Sequence, residues 1–185
     1  MKTGKIIVLV GAIITLVSTF FLSFGQTNGL GGRSYISGIG LMFNLPEIFG
    51  NPAYWISTFP GYTSEDTILI YLYGILFIVF ALSGVIQLVG LKNKYVAIIG
   101  SGLTIAFAIM VMLYLTAPAD VWKRFGALMW SDPIIDGNLM PIWPLEIPLI
   151  ATSVWGYQNI SLGAITIFVG GGLGLVGGIL GIKDI

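Results

Sequence analysis

The sequence predicts an all-α integral membrane protein: a bundle of four transmembrane helices with a small extracellular cap formed by two long loops. Three observations carry this expectation. Of 185 residues, 56% are hydrophobic and only 9% charged, against about 25% charged in a soluble domain. Four apolar stretches, residues 6–24, 68–91, 96–117 and 161–182, contain no Asp, Glu, Lys or Arg. Each is close to the roughly 20 residues that cross a bilayer as a helix. All eight prolines and all five tryptophans fall outside these stretches, as expected when proline breaks helices and tryptophan favours the membrane–water boundary.

The first stretch follows Met1-Lys2, which also suits a cleaved signal peptide. Its run of 19 residues exceeds the roughly 7–15 of a signal core, and no Ala-x-Ala site follows, so a retained helix is expected. Gly4, Gly11, Thr15 and Ser18 form a stripe of small residues along it. The outer loop 25–67 is too long for a connector and too rich in aromatic and branched residues for disorder. It reads as short strand and turn pieces, with Arg33–Leu45 as the extended stretch, punctuated by Pro46, Asn51-Pro52 and Pro60-Gly61.

Glu65-Asp66 reads as the solvated start of the second span, in which Gln87 is the one large polar side chain. A lone glutamine there is expected to make an interhelical hydrogen bond. Lys92 and Lys94 fill a tight turn before the third span, whose small residues are Ala97, Ser101, Thr104 and Ala108. The outer loop 118–158 is expected to open with a surface helix over Ala119–Trp130, capped by Asp120, with Trp122, Phe125 and Met129 on one face. Its remainder, with Pro133, Pro141, Pro144 and Pro148, reads as extended. Trp55, Trp122, Phe125, Trp130, Trp143 and Trp155 are the candidate interaction residues of the loops.

The fourth span is glycine-rich. At 100° per residue, Gly163, Gly170, Gly171, Gly174, Gly177, Gly178 and Gly181 share one arc of about 120°. Gly170, Gly174 and Gly178 make the small-xxx-small pattern that lets helices approach closely in lipid. Gly163, Gly170, Gly174, Gly177, Gly178 and Gly181 are therefore the candidate packing and assembly residues. Intramolecular packing is the leading use; homo-oligomerisation and a glycine-lined pore are the alternatives.

Positive charge fixes the expected orientation. Lys2, Lys5, Lys92, Lys94 and Lys183 against Asp184 give one side a net +4, while the long loops carry a net −4. Both termini are expected in the cytoplasm of a plasma-membrane protein, with both long loops outside.

Balanced charge argues against nucleic acid as a partner. The absence of His and Cys removes the commonest acid–base group, the commonest metal ligand and all thiol chemistry. Asp132, Asp136, Asn138 and Glu146 could ligate calcium, but the spacing matches no EF-hand and reads as a turn. Asn159-Ile160-Ser161 fits a glycosylation acceptor, though it abuts the fourth span. No enzyme activity, metal or other cofactor is expected.

The layout resembles the tetraspan organisation of claudins and tetraspanins, with inner termini, a tight inner turn and two outer loops. The resemblance is one of topology: neither the Trp/Gly-Leu-Trp/Cys/Cys signature nor a Cys-Cys-Gly is present, the nearest stretch being Asn28–Gly32. The resulting expectation is a non-catalytic membrane protein acting by association with other membrane subunits or itself, and with lipids. It would serve as an accessory subunit of a larger complex or as a self-assembling scaffold. The alternatives are a channel for a small neutral solute and a lipid- or quinone-binding subunit.

Overall fold

The computed structural model describes residues 3–29, 32–53, 67–116, 130–131, 134–135, 138–139, 147–152 and 158–181. The described chain is mostly helical. It runs α1 (Thr3–Phe21), β1 (Gly25–Gly29), β2 (Gly32–Ile36), α2 (Gly38–Gly50), α3 (Thr67–Ala81), α4 (Ser83–Val89) and α5 (Lys94–Thr116). Then come β3 (Trp130–Ser131), β4 (Ile134–Ile135), β5 (Asn138–Leu139), β6 (Pro148–Thr152), β7 (Gln158–Ser161) and α6 (Leu162–Leu180). Among the described residues three helices, α1, α5 and α6, are long and apolar enough to cross a membrane; α3 and α4 add a fourth if the bent pair counts as one.

The second apolar stretch is therefore not one straight helix. It bends by 41° at Leu82, yet the Leu82 amide still donates to the Ile78 carbonyl and the Ile86 amide to that of Leu82. The bend falls at Ser83-Gly84, a pair of the kind at which helices kink without proline. Below it, α4 and α5 form a tight antiparallel hairpin. A Cβ on Gly100 would lie 2.8 Å from the Gln87 backbone nitrogen, and one on Gly90 would collide with the Ala97 backbone.

Above the bend α3 leans away, and large side chains fill the space. Phe107 of α5 stands edge-on to Phe24 and Phe77, with centroids 5.6 and 6.1 Å away, and stacks on Phe80 at 5.0 Å. Ile36, Leu41, Ile48, Ile70, Leu115 and Ile167 complete this core. The bundle thus has two storeys. Glycines and hydroxyls pack α1 on α6 in both and α4 on α5 in the lower one, while aromatic and branched side chains fill the space beside α3 in the upper one.

The expected extended stretch Arg33–Leu45 is corrected. Strand ends at Ile36, and Gly38–Gly50 is helix with Pro46 inside it. Ser37 explains the switch: its Oγ accepts the Gly40 amide at 3.1 Å, and its carbonyl accepts the Leu41 amide, which is N-capping. Leu41, Leu45 and Ile48 then recur on one helical face that packs into the core.

Strands from both long loops join one antiparallel sheet in the order β3-β2-β1-β7-β6. It is rooted in the bundle by backbone hydrogen bonds. The Ser161 amide donates to Phe24, the Gly163 amide to Ser23, and the Phe24 amide to Ile36, at 2.7–3.0 Å. Trp130 belongs to β3 opposite Ile36 and is not the end of a helix; residues 119–129 lie outside the described residues.

Replacing Ser37 by Ala removes the cap of α2. The expected cost is about 0.5–2 kcal/mol, read as a lowered unfolding midpoint in detergent.

Candidate functional site

The glycine face of α6 lies against two helices at once. α1 and α6 run antiparallel with a constant register. A Cβ on Gly4 would lie 2.8 Å from the Gly177 carbonyl oxygen and 2.9 Å from that of Gly181. One on Gly11 would be 2.7 Å from the Gly170 oxygen and 2.7 Å from the Gly174 nitrogen. On α6, Gly170 and Gly177 meet α1 at Thr15, Gly11, Gly4 and Val8, and Gly163 abuts the Ser23 carbonyl. Gly171 and Gly178 instead meet α5, at Ile105, Thr104 and Ile98. The arc of about 120° is wide because the helix has neighbours on two sides.

Gly174 occupies the junction. A Cβ there would run into Ser101 Oγ and lie 2.7 Å from Gln87 Oε1. Gly181 differs from the others. Its own Cα faces open space and it leaves α6 with φ 95°, a conformation that favours glycine.

Beside this junction sits a polar network wholly inside the bundle. Gln87 is fully buried, and its Nε2 donates to Thr104 Oγ1 at 2.7 Å and to Thr15 Oγ1 at 3.2 Å. The amide thereby ties α4 to both α5 and α1, where a single interhelical bond was expected from the sequence. Thr104 Oγ1 lies 2.9 Å from Ser83 Oγ and 3.0 Å from the Gly100 carbonyl, either of which takes its one proton. Ser101 Oγ donates to the Ala97 carbonyl and Thr19 Oγ1 to that of Thr15. Ser18 of α1 reaches Thr166 Oγ1 of α6 at 2.7 Å. The hydroxyls lie on the small-residue stripes because only short side chains fit there, and back-bonding to the preceding turn satisfies their protons in an apolar setting.

Gln87 Oε1 has no hydrogen-bond partner among the described residues. Sequence reasoning singled out Gln87 but could not show that its carbonyl oxygen ends beside the bare Cα of Gly174. A buried acceptor without a donor costs about 1–3 kcal/mol, whereas an interhelical bond in a membrane bundle averages about 0.6 kcal/mol. The two nitrogen bonds therefore roughly offset the orphaned oxygen. The amide adds little net stability and instead fixes which faces of three helices meet.

Of the six aromatic loop residues only Trp130 lies among the described residues. Trp130 lies in β3, paired with Ile36. Trp55, Trp122, Phe125, Trp143 and Trp155 lie outside the described residues, as do Asp132, Asp136 and Glu146. Asn159 is in β7, paired on both sides in the sheet. No group of three or more potential metal ligands occurs among the described residues. No family model, curated protein or solved structure matches the chain.

Gly174→Leu is expected to abolish recovery of folded protein, because the new side chain has no space against Ser101 and Gln87. Gly172→Leu is expected to be tolerated, since nothing lies within 4 Å of its Cβ direction. Size-exclusion profiles of the two variants in the same detergent check this pair. Gln87→Met should leave the unfolding free energy within about 1 kcal/mol of the parent, measured by denaturant titration in micelles.

Proposed function

We propose that this chain is a non-catalytic four-span membrane protein that works by association, as an accessory subunit of a larger membrane complex or as a self-assembling scaffold. In this reading α3 and α4 form one bent span. Both termini and the lysine-bearing turn face the cytoplasm, and the five-stranded sheet faces outward.

The observation that carries the reading is how the polar groups inside the bundle are used. Gln87, Thr15, Ser18, Ser83, Ser101, Thr104 and Thr166 bond to one another and to helix carbonyls. The seam between α1 and α6 is closed at van der Waals distance from Gly4 to Gly163. A path for a solute needs polar groups facing a lumen, and here those groups are spent on helix contacts. What remains outward on the spans is apolar: Ile6, Val10, Ile13 and Val17 on α1, Ile68, Leu72 and Ile75 on α3, and Val176 and Ile179 on α6. Such faces suit lipid and other membrane helices.

With α6 occupied on its glycine face by α1 and α5, association with a partner falls to these outward faces and to the sheet with its loops. The expected outcome of native mass spectrometry in mild detergent is co-purifying polypeptides or a defined homo-oligomer, and liposome flux of small neutral solutes should equal that of protein-free vesicles. Flux above that baseline from a closed ring of identical copies would overturn the reading in favour of a channel.

A further inference from the structure

The helix that sequence reasoning missed, α2, has two distinct apolar faces, one buried and one exposed. At 100° per residue from Gly38, Leu41, Leu45 and Ile48 span about 280–340°. Of these Leu41 and Ile48 are fully buried in the core. Next to them, Phe49, Met42 and Pro46 span about 20–80°. All three are exposed, Met42 at 44% and Phe49 at 38%. Phe43, at about 140°, is also exposed and widens the second apolar face; an inward apolar face beside an exposed apolar one suits a helix lying in a membrane interface.

Its level in the bundle agrees. The first residue, Gly38, abuts the Thr19 carbonyl in the last turn of α1. At the other end Ile48 and Phe49 rest on Gly74, at 3.2 and 3.0 Å from its Cβ direction, and Phe49 stacks on Tyr71 at 6.0 Å. Gly74 is seven residues into α3, about 10 Å of helix from Thr67. Just before Thr67 come the charges Glu65-Asp66. The exposed apolar arc of α2 is thus continuous with the outward apolar face of α3, which carries Ile68, Leu72 and Ile75. Pro46 has no N–H for the Met42 carbonyl, which suits a level where water or headgroups reach the backbone and argues against full immersion in hydrocarbon.

We propose that α2 is an interfacial helix whose Phe49–Met42–Pro46 arc is covered by the acyl chains of the sheet-side leaflet. The partner is a phospholipid surface engaged through apolar contact. α2 carries no Lys or Arg, so the contact does not select anionic headgroups. The proposal rests on the bilayer reading above, and its test separates the two.

The chain has no cysteine, so single-cysteine spin labels report one position each. Met42→Cys, Asn93→Cys and Ile109→Cys are made in the full chain and reconstituted in phosphatidylcholine vesicles. Power saturation is then measured with oxygen and with a water-soluble nickel chelate. Asn93 lies in the exposed turn and Ile109 on the outward face of α5. At Met42 the expected nickel collision rate is at least about three-fold below that at Asn93, with oxygen collisions above those at Asn93, as for a residue seated among acyl chains. Nickel access equal to that at Asn93 overturns the proposal in favour of a water-exposed helix. Low collision with both reagents overturns it in favour of a protein cover. Free nickel access at Ile109 as well would mean that the bilayer reading itself fails.

Discussion

Everything in this bundle depends on the missing side chains of α6. A helix of ordinary residues keeps its neighbours about 8–10 Å away. Here Gly11 of α1 and Gly170 and Gly174 of α6 approach so closely that one added carbon on Gly11 would overlap the opposing backbone. Such contact gains dispersion between the backbones, the term that holds helices together where lipid would give little hydrophobic drive. The same helix offers Gly171 and Gly178 to α5. Three helices are thereby drawn into one seam without a charged pair among them.

Close packing of α4 on α5 leaves the space beside α3 to be filled. The bend at Leu82 lets α4 lie tight against α5 while α3 diverges. The opening takes Phe24, Phe77, Phe80 and Phe107 as well as the buried face of α2. Without α2 this apolar wedge would stand open next to the sheet. The sheet is tied to the same place, since β7 runs directly into α6 and β1 begins four residues after α1 ends.

Polar side chains inside the bundle follow the same geometric rule. Thr15, Ser101 and Thr104 occur where α1 and α5 need small residues. Gln87 is the exception in size, and it reaches between the helices to find them. Its orphaned oxygen lies where Gly174 leaves a gap but offers no donor. The network is therefore better understood as a register key than as a source of net stability.

The four apolar stretches, the exclusion of proline and tryptophan from them, and the small-residue stripes of α1, α5 and α6 are all legible in the chain, because each is a property of composition and of the 3.6-residue period. The helical stretches observed differ from the expected spans mainly at their ends and at the bend. The α2 helix was hidden by Pro46, which locally reads as a stop, and by the absence of an acidic residue in its first turn and of a basic residue in its last. Only its burial against α1 and α3 makes Leu41, Leu45 and Ile48 a helical face. Pairing of strands from the two long loops was likewise out of reach, because the partners are far apart in sequence and short strands carry little local signal. The sequence by itself determined that this chain has apolar spans with one bare helix. Tertiary structure alone decided that the bare face meets two helices of the same chain, because the sequence shows a face but not what comes to rest on it.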